Sequence, residues 1–279
     1  MRLVKEILPL SVRYLEEKQV VSPRFIVELL LSHVLGKTRM ELYMCFDQPI
    51  EEEELVCFRS FLRKAALHMP VEYILGVVDF YGSAFFVSQD VLIPRPETEW
   101  LVDYASKSLS QESSSLFLGD LCSGSGCIGL SLKKKHPHLQ VVLVDQSAKA
   151  LAVSEKNAKK HQLEVTHIHG DFLHALQGKK FHYILCNPPY VTEEEYANLD
   201  PSVRDFEPKE ALVSGRSGLE FYERLARELP AYLYPQAKVF LEIGKDQGES
   251  VLSLFSSWHK TLYKDLAGHD RFICLRSIN

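Results

Sequence analysis

The sequence has 279 residues, of which 46% are hydrophobic and 25% charged, as is usual for a soluble globular protein of one or two domains. Its net charge of -5 argues against a protein that binds nucleic acid through an overall basic field. The six cysteines include no C-x2-C pair, which argues against a zinc site, and we expect no metal. The N-terminus lacks the apolar core of a signal peptide, and no run of about 18 apolar residues predicts a membrane span. A reducing cytoplasm is the simplest compartment.

Residues 1–75 are predicted to form a small helical domain. Apolar residues recur at helical spacing across residues 3–14. Ser22 and Pro23 are the start signal of a second helix, with Ser22 as its N-cap and Pro23 in its first position. The acidic residues 51–54 begin a third helix, because negative side chains suit the positive end of a helix. Nothing in this domain indicates chemistry, and we expect it to bind the substrate partner.

Residues 76–96 are predicted to be a β-hairpin followed by a connector. One β-rich run begins at Tyr73, and it meets a second run at a turn that contains Gly82 and Ser83. Prolines then stiffen an extended segment before the next helix. Arg95 in this segment is either a structural ion-pair partner or part of the rim of a pocket.

From residue 116 onward, strands and helices alternate, which predicts a doubly wound, mostly parallel sheet in an α/β domain of residues 97–279. Strands are predicted at residues 116–121, 140–145, 165–168, 181–186 and 238–243, with tail strands near residue 262 and at 272–275. Helices are predicted at residues 98–104, 127–135, 148–160, 219–232 and 251–256.

The motif Asn187-Pro188-Pro189-Tyr190 follows the apolar strand of residues 181–186. A proline has no N–H and restricts the residue before it, so Asn187 is expected just past the carboxyl end of the strand, where open α/β sheets bind ligands. Asn187 Oδ1 and the Pro188 carbonyl provide two acceptors for a planar –NH2 group, and the Tyr190 ring can cover one face of it. This arrangement suits methylation of an amide or exocyclic amine nitrogen, whose lone pair has to be oriented. The alternative is an ordinary turn in which Asn187 bonds its own backbone.

A glycine-rich turn follows the first strand of the α/β domain and consists of Cys122, Ser123, Gly124, Ser125 and Gly126. With Gly129 it matches the dinucleotide fingerprint, and Asp145 lies where that motif places a ribose-binding acid. A nicotinamide dehydrogenase is therefore one alternative.

Three further side chains favour a different nucleoside. Asp120 precedes the glycine-rich turn, and a carboxylate there attracts a cationic amino-acid end but repels a pyrophosphate. Asp171 and Phe172 follow the third strand and offer an acceptor and an aromatic ring for an adenine. If each residue is considered alone, the simpler interpretation is that Asp120 caps the next helix and Asp171 is an ordinary turn residue. Because both lie at the ends of successive strands, together they favour S-adenosylmethionine as the cofactor.

Several short motifs between residues 75 and 276 carry a family resemblance. They are Leu-Ile-Pro-Arg-Pro-Glu-Thr-Glu at 92–99, Asp-Leu-Cys-Ser-Gly-Ser-Gly at 120–126, Asn-Pro-Pro-Tyr at 187–190, Phe-Glu-Pro at 206–208, Ala-Leu at 211–212, Gly-Leu at 218–219, Glu-Ile-Gly at 242–244 with Gln247, and Asp-Leu-Ala-Gly-His-Asp-Arg at 265–271. Together they resemble the HemK/PrmC family of protein-glutamine methyltransferases, which act on peptide chain release factors. Asn-Pro-Pro-Tyr alone is shared with adenine-N6 DNA methyltransferases.

The resemblance implies a class I S-adenosylmethionine-dependent methyltransferase with a Rossmann-like, seven-stranded, mostly parallel sheet and a small N-terminal all-α domain. The substrate would be the glutamine of the Gly-Gly-Gln loop in class I release factors. We expect a cytoplasmic enzyme that acts as a monomer and requires no direct contact with nucleic acid or membrane. The alternatives are an adenine-N6 methyltransferase of nucleic acid, a nicotinamide oxidoreductase and a non-catalytic module that binds the cofactor.

The resemblance also implies roles for single residues. Cys122 to Gly126 would surround the methionine end of the cofactor, Asp145 would bind the ribose hydroxyls, and Asp171 and Phe172 would bind the adenine. Asn187 and the carbonyl of Pro188 would hold the glutamine amide, with Pro189 and Tyr190 completing the catalytic motif. The chain departs from the family pattern in having Cys-Ser-Gly-Ser-Gly for Gly-Thr-Gly-x-Gly, Phe172 where a tryptophan is frequent, and Tyr234-Pro235-Gln236 in place of a Pro-Gly-Gly turn.

Overall fold

The computed structural model describes residues 2–110, 115–176, 178–265 and 267–277. The chain divides into two compact units, one made of residues 1–77 with 200–206, and the other of residues 78–199 with 207–279. The segment 200–206, which the sequence pattern assigns to the α/β domain, thus groups with the first unit. Within the described ranges, every helix is too short or too polar to cross a bilayer.

The first unit is mainly helical. Its elements are β1 (Arg2–Leu3), α1 (Val4–Glu17), α2 (Pro23–Val34), α3 (Arg39–Met44), β2 (Pro49–Ile50), α4 (Glu52–Ala65) and α5 (Val71–Leu75). The three predicted helices are confirmed as α1, α2 and α4, which enclose a core that includes Leu15, Leu30 and Phe58.

Ser22 is the N-cap residue of α2 and Pro23 its first residue, as predicted. Ser22 has a left-handed backbone (φ 53°), however, and its side chain makes no capping hydrogen bond, because an N-cap side chain reaches the helix N–H groups from an extended backbone. One prediction in this region is wrong. The β-rich run does not begin at Tyr73, since residues 73–75 lie in α5, which ends at the left-handed Gly76 (φ 72°). An apolar run this short does not distinguish helix from strand by its periodicity.

The second unit has alternating strands and helices. Its elements are β3 (Val77–Phe80), β4 (Ser83–Phe86), α6 (Thr98–Leu109), β5 (Phe117–Leu121), α7 (Cys127–Lys135), β6 (Gln140–Asp145), α8 (Ala148–Lys160), β7 (Thr166–His169), β8 (Phe181–Cys186), α9 (Glu193–Ala197), α11 (Glu220–Glu228), β9 (Leu233–Glu242), α12 (Gly248–Leu254), β10 (His259–Lys264) and β11 (Asp270–Arg276), while α10 (Pro201–Arg204) lies in the segment that groups with the first unit. Strands β3 and β4 pair as the predicted hairpin.

The main sheet has seven strands in the order β10-β11-β9-β8-β5-β6-β7. Strands β5 to β9 run parallel, while β11 pairs antiparallel with both β9 and β10. The predicted fold class is confirmed. The strand order reverses between β5 and β8, and ligands of doubly wound sheets bind at such a switch point, beyond the carboxyl ends of the strands.

The parallel strands are buried on both faces, as helices on both sides require. Ile184 packs into a core with Leu225 and Val251 on one face of the sheet, whereas Leu185 packs with Leu101 and Leu130 on the other. This double burial holds the ends of β5 and β8 rigidly, which is what a positioned site needs.

Tyr234, Pro235 and Gln236, which stand in place of the Pro-Gly-Gly turn of the family pattern, lie inside β9. Gln236 has a positive φ of 60°, and the pairing of β8 with β9 shifts register between Phe181 and Tyr183. A bulge of this kind inserts residues without ending the strand, and its pattern of polar residues resembles that of a turn.

Candidate active site

A cavity of about 920 Å3, part of it open to solvent, lies at the carboxyl edge of the sheet in the second unit. Residues that directly follow four strands line it. These are Cys122, Ser123, Gly124 and Ser125 after β5, Asp145, Gln146 and Ser147 at the end of β6, Asp171 and Phe172 after β7, and Asn187 and Pro189 after β8. The cavity therefore brings together most of the residues that the sequence singles out.

The glycine-rich turn has a backbone that few other sequences adopt. Gly124 (φ 53°) and Gly126 (φ 78°) both have left-handed backbones, and a Cβ on Gly126 would lie 2.4 Å from Ser154 Oγ of α8. Gly126 does not line the cavity, so it serves the close packing of α7 against α8. By contrast, a Cβ on Gly124 would meet nothing within 4 Å, because the turn faces open space there.

Asp145 holds the glycine-rich turn in place. Its Oδ2 accepts a hydrogen bond from the Gly124 N–H at 2.8 Å, and its Oδ1 accepts one from the Ser147 N–H at 2.9 Å. Burial raises the pKa of this carboxyl above its ordinary value, while these two N–H groups oppose the shift. A carboxylate has about four acceptor sites, so Asp145 keeps capacity for further donors from a ligand.

Phe172 and Asp171 form the far wall of the cavity. Phe172 is buried, and its ring packs edge-on against Phe221 at 5.3 Å between centroids. Asp171 is exposed and accepts a hydrogen bond from Arg224 at 2.7 Å, which lowers the pKa of its carboxyl. Phe221 was not predicted as a site residue, since a helix gives no local signal that one aromatic faces a ligand.

Asp120 does not line the cavity. It lies in β5, fully buried, and its Oδ2 accepts a hydrogen bond from the Gly129 N–H of α7 at 2.9 Å. Its Oδ1 has no hydrogen-bond partner among the described residues. Burial raises the pKa of Asp120 to about 7, and the nearby Asp145 adds to the shift. The carboxyl thus supports the start of α7 from beneath the turn, as in the helix-cap alternative.

The Asn-Pro-Pro-Tyr corner begins directly after β8, as predicted. Asn187 and Pro189 line the cavity, whereas Pro188 is buried and, like Tyr190, is not among the lining residues. Burial raises the pKa of the Tyr190 hydroxyl, so this group stays protonated.

The chain after the corner is anchored by backbone bonds. The N–H groups of Tyr190 and Val191 both donate to the Leu212 carbonyl, at 3.1 and 2.9 Å. Gln247 Nε2 donates to the Tyr190 carbonyl at 3.1 Å, and a Cβ on Gly218 (φ 73°) would lie 2.5 Å from that same oxygen. Gly218 and Gln247 both fix the position of the corner. This explains why the Gly-Leu motif and the Glu-Ile-Gly motif with Gln247 occur, although both are distant from the corner in the sequence.

Arg95 has both of the roles left open by the sequence. Its guanidinium pairs with the buried carboxylate of Glu207, which also accepts a hydrogen bond from the Ile93 N–H at 3.1 Å. Arg95 also lines the cavity. The connector is thereby held against the loop that follows the corner.

Comparison with known proteins identifies the family. A family model described as the PrmC N-terminal domain matches residues 6–76, and one described as the methyltransferase small domain matches residues 99–200. A release factor glutamine methyltransferase of Geobacter sulfurreducens is 39% identical over 91% of this chain and 88% of its own length. One of Bacillus cereus is 39% identical over 88% of this chain and 90% of its own length. The chain belongs to the family of release factor glutamine methyltransferases.

A solved structure supports the same fold. A methyltransferase of Pyrococcus furiosus has a TM-score of 0.51 and 13% identity, covering 69% of this chain and 87% of that one. At this identity the likeness concerns the fold alone.

The cavity of this release factor glutamine methyltransferase homologue fits S-adenosylmethionine. Ser123 lines the cavity, and its buried Oγ has no hydrogen-bond partner among the described residues. Asp145 lines the cavity with a carboxyl group that has acceptor sites to spare, and Phe172 lines it with an aromatic side chain. A partly apolar wall with a few placed polar groups is typical of small-molecule sites.

Proposed function

We propose that this protein transfers a methyl group from S-adenosylmethionine to the side-chain amide nitrogen of the glutamine in the Gly-Gly-Gln motif of class I peptide chain release factors. The family to which the chain belongs supports this activity. The observation that carries the site assignment is the position of Asn187. It lines the cavity directly beyond β8, beside the glycine-rich turn.

In this proposal, the corner binds the substrate amide through two acceptors. Asn187 Oδ1 and the Pro188 carbonyl each accept one N–H of the glutamine –NH2 group, while Tyr190, which does not line the cavity, is assigned no contact with it. A primary amide nitrogen is a poor nucleophile because its lone pair is delocalised. Fixing both N–H directions orients that lone pair, and orientation and preorganised dipoles provide the rate enhancement. The proton of the methylated nitrogen leaves to water.

The cofactor would be held by the residues of the other three strand ends. When bound, S-adenosylmethionine supplies a methyl group on a positively charged sulfur. Cys122 to Gly126 would surround its methionine end, supported from below by Asp120. Asp145 would accept from the ribose hydroxyls, and Asp171 and Phe172 would contact the adenine.

The first unit is proposed to bind the release factor. Met40 and Met44 of α3 are 78% and 85% exposed, and flexible apolar side chains of this kind suit protein contacts. The net charge of -5 favours a protein substrate over nucleic acid, and we propose that a monomer suffices. The cysteines are free thiols, which agrees with a reducing cytoplasm.

The experiment uses cofactor with a labelled methyl group and the purified full-length protein. It is incubated with a class I release factor, with the same factor carrying alanine in place of the Gly-Gly-Gln glutamine, and with adenine-containing DNA. We expect label in the unaltered release factor only. Label in the DNA, or equal label in the alanine form, would overturn the proposal.

A further inference from the structure

Two hydrogen bonds, one of them buried, connect the Asn187 amide to Thr98 and Glu242. Thr98, the first residue of α6, donates from Oγ1 to Glu242 Oε2 at 2.7 Å. Asn187 Nδ2 donates to the same Thr98 Oγ1 at 3.5 Å. Thr98 is 2% exposed and Glu242 is 6% exposed, so water does not compete for the bond between them. Asn187 is half-buried and lines the cavity.

The strand register explains why these groups meet. Cys186 of β8 is paired with Leu241 of the parallel strand β9, so the next residues of the two strands, Asn187 and Glu242, lie side by side. Glu242 is a buried carboxyl group at the end of β9, directly after the apolar residues 239–241. The helix α6 starts at this point and places the Thr98 hydroxyl near both.

The donor and acceptor in each of these two hydrogen bonds follow from the number of hydrogens available. A threonine hydroxyl has a single hydrogen, and Thr98 gives it to Glu242, whose ionised form can only accept. Burial raises the pKa of Glu242 to about 7, so this direction belongs to the form that predominates above that pH. The Thr98 oxygen can then only accept, so it holds the –NH2 end of Asn187. Rotating the amide by a half-turn would bring Asn187 Oδ1 against Thr98 Oγ1, where two acceptors face each other without a hydrogen. The carbonyl end of Asn187 is therefore the one left for the substrate.

We propose that Thr98 and Glu242 are positioning residues, which select the orientation of the Asn187 amide in which Oδ1 is presented to the substrate –NH2 group. This inference rests on the proposed function and adds two residues to it: Thr98, which lines the cavity, and Glu242, which is buried and does not line it. The buried acceptor at Glu242 sets the direction of the Thr98 hydroxyl, and the hydroxyl sets the direction of the amide.

Two matched pairs of variants test the proposal. Thr98→Val removes the hydroxyl at nearly constant volume, while Thr98→Ser keeps it. Glu242→Leu removes the acceptor, while Glu242→Gln keeps an acceptor oxygen. Ser106→Ala is the control, because Ser106 is a buried hydroxyl of the same helix that bonds His136 at 2.8 Å.

We expect kcat for methyl transfer to fall about 10- to 100-fold in Thr98→Val and Glu242→Leu, the range found when an outer-shell partner of a functional residue is lost. The Kd for S-adenosylmethionine should change little. Each of these two variants leaves a buried polar group without its partner, which lowers stability, so kcat is measured below the melting temperature of each variant. The Ser and Gln variants should stay within about threefold of the wild type, and Ser106→Ala should match it in kcat. Wild-type kcat in both Thr98→Val and Glu242→Leu would overturn the proposal, and so would equal losses in Ser and Val.

A second readout does not depend on activity. In 15N spectra of the full-length protein, the Asn187 side-chain –NH2 signals should be protected from solvent exchange in the wild type and in Thr98→Ser. They should lose that protection in Thr98→Val and Glu242→Leu. Unchanged protection in these two variants would refute the positioning role of Thr98 and Glu242. If the wild-type protein labels no release factor, the proposed function is refuted, but the positioning of the amide is not, since these spectra test it independently.

Discussion

The loss of the Asp145 carboxylate gives a direct test of how the cavity binds its cofactor. Asp145→Ala removes the acceptor that holds the Gly124 and Ser147 N–H groups at 2.8 and 2.9 Å, and it removes the proposed ribose contact. A hydrogen bond to a charged group contributes about 1.5–3 kcal/mol. Since about 1.4 kcal/mol is a factor of ten in affinity, the loss of one such bond to the ribose should raise Kd for S-adenosylmethionine about 10- to 100-fold.

The assay is calorimetric titration of the purified variant with S-adenosylmethionine, with circular dichroism to verify that the variant is folded. Asp103→Ala is the matched control, because Asp103 is an ion-paired carboxylate of α6, 2.6 Å from Lys107, that does not line the cavity. Its Kd should equal that of the wild type. A folded Asp145→Ala variant with a Kd within twofold of the wild type would refute the proposed ribose contact.

Two further predictions concern stability. The ordinary pKa of an aspartate, 3.8, applies to Asp120 in the unfolded chain, and burial raises it to about 7 in the folded protein. Between these two pH values, the folded protein keeps a proton on Asp120 that the unfolded chain has released. The unfolding free energy should therefore fall as pH rises from 4 to 7, by at most about 1.4 kcal/mol per pH unit, and urea titrations should show a flatter dependence in Asp120→Asn. Gly218→Ala should lower both the melting temperature and kcat, because its Cβ would lie 2.5 Å from the Tyr190 carbonyl in a left-handed backbone; an unchanged melting temperature would contradict this.

The elements whose ends are marked by characteristic residues were predictable from sequence. The predicted bounds of α7, α8 and β8 coincide with the observed ones, because glycine, serine or Asn-Pro residues mark where each begins or ends. Tyr73 was assigned to the wrong class of element because three apolar residues fit either period. The bulge at Gln236 was missed because its register depends on the partner strand.

The cavity was predictable in outline because strand ends of a parallel sheet share one edge, which brought Asp145, Phe172 and Asn187 together. The burial of Asp120 was not predictable, since a carboxylate next to a turn looks the same whether it faces the ligand or the helix beneath it. The bond between Thr98 and Glu242 joins residues 144 apart in the chain. Its only signal in the sequence is a carboxyl group that directly follows the apolar residues 239–241.

The most direct measurement is the rate of methyl transfer to a release factor by the Asn187→Ala variant. Asn198→Ala is the control, because among the hydrogen bonds described the Asn198 side-chain amide donates only to the Glu194 carbonyl. If the corner holds the glutamine amide, Asn187→Ala should lose at least about 100-fold in kcat, the scale of one preorganised hydrogen-bonding group. Cofactor affinity should persist, and Asn198→Ala should keep wild-type turnover. Near-normal turnover by a folded Asn187→Ala variant would contradict the account.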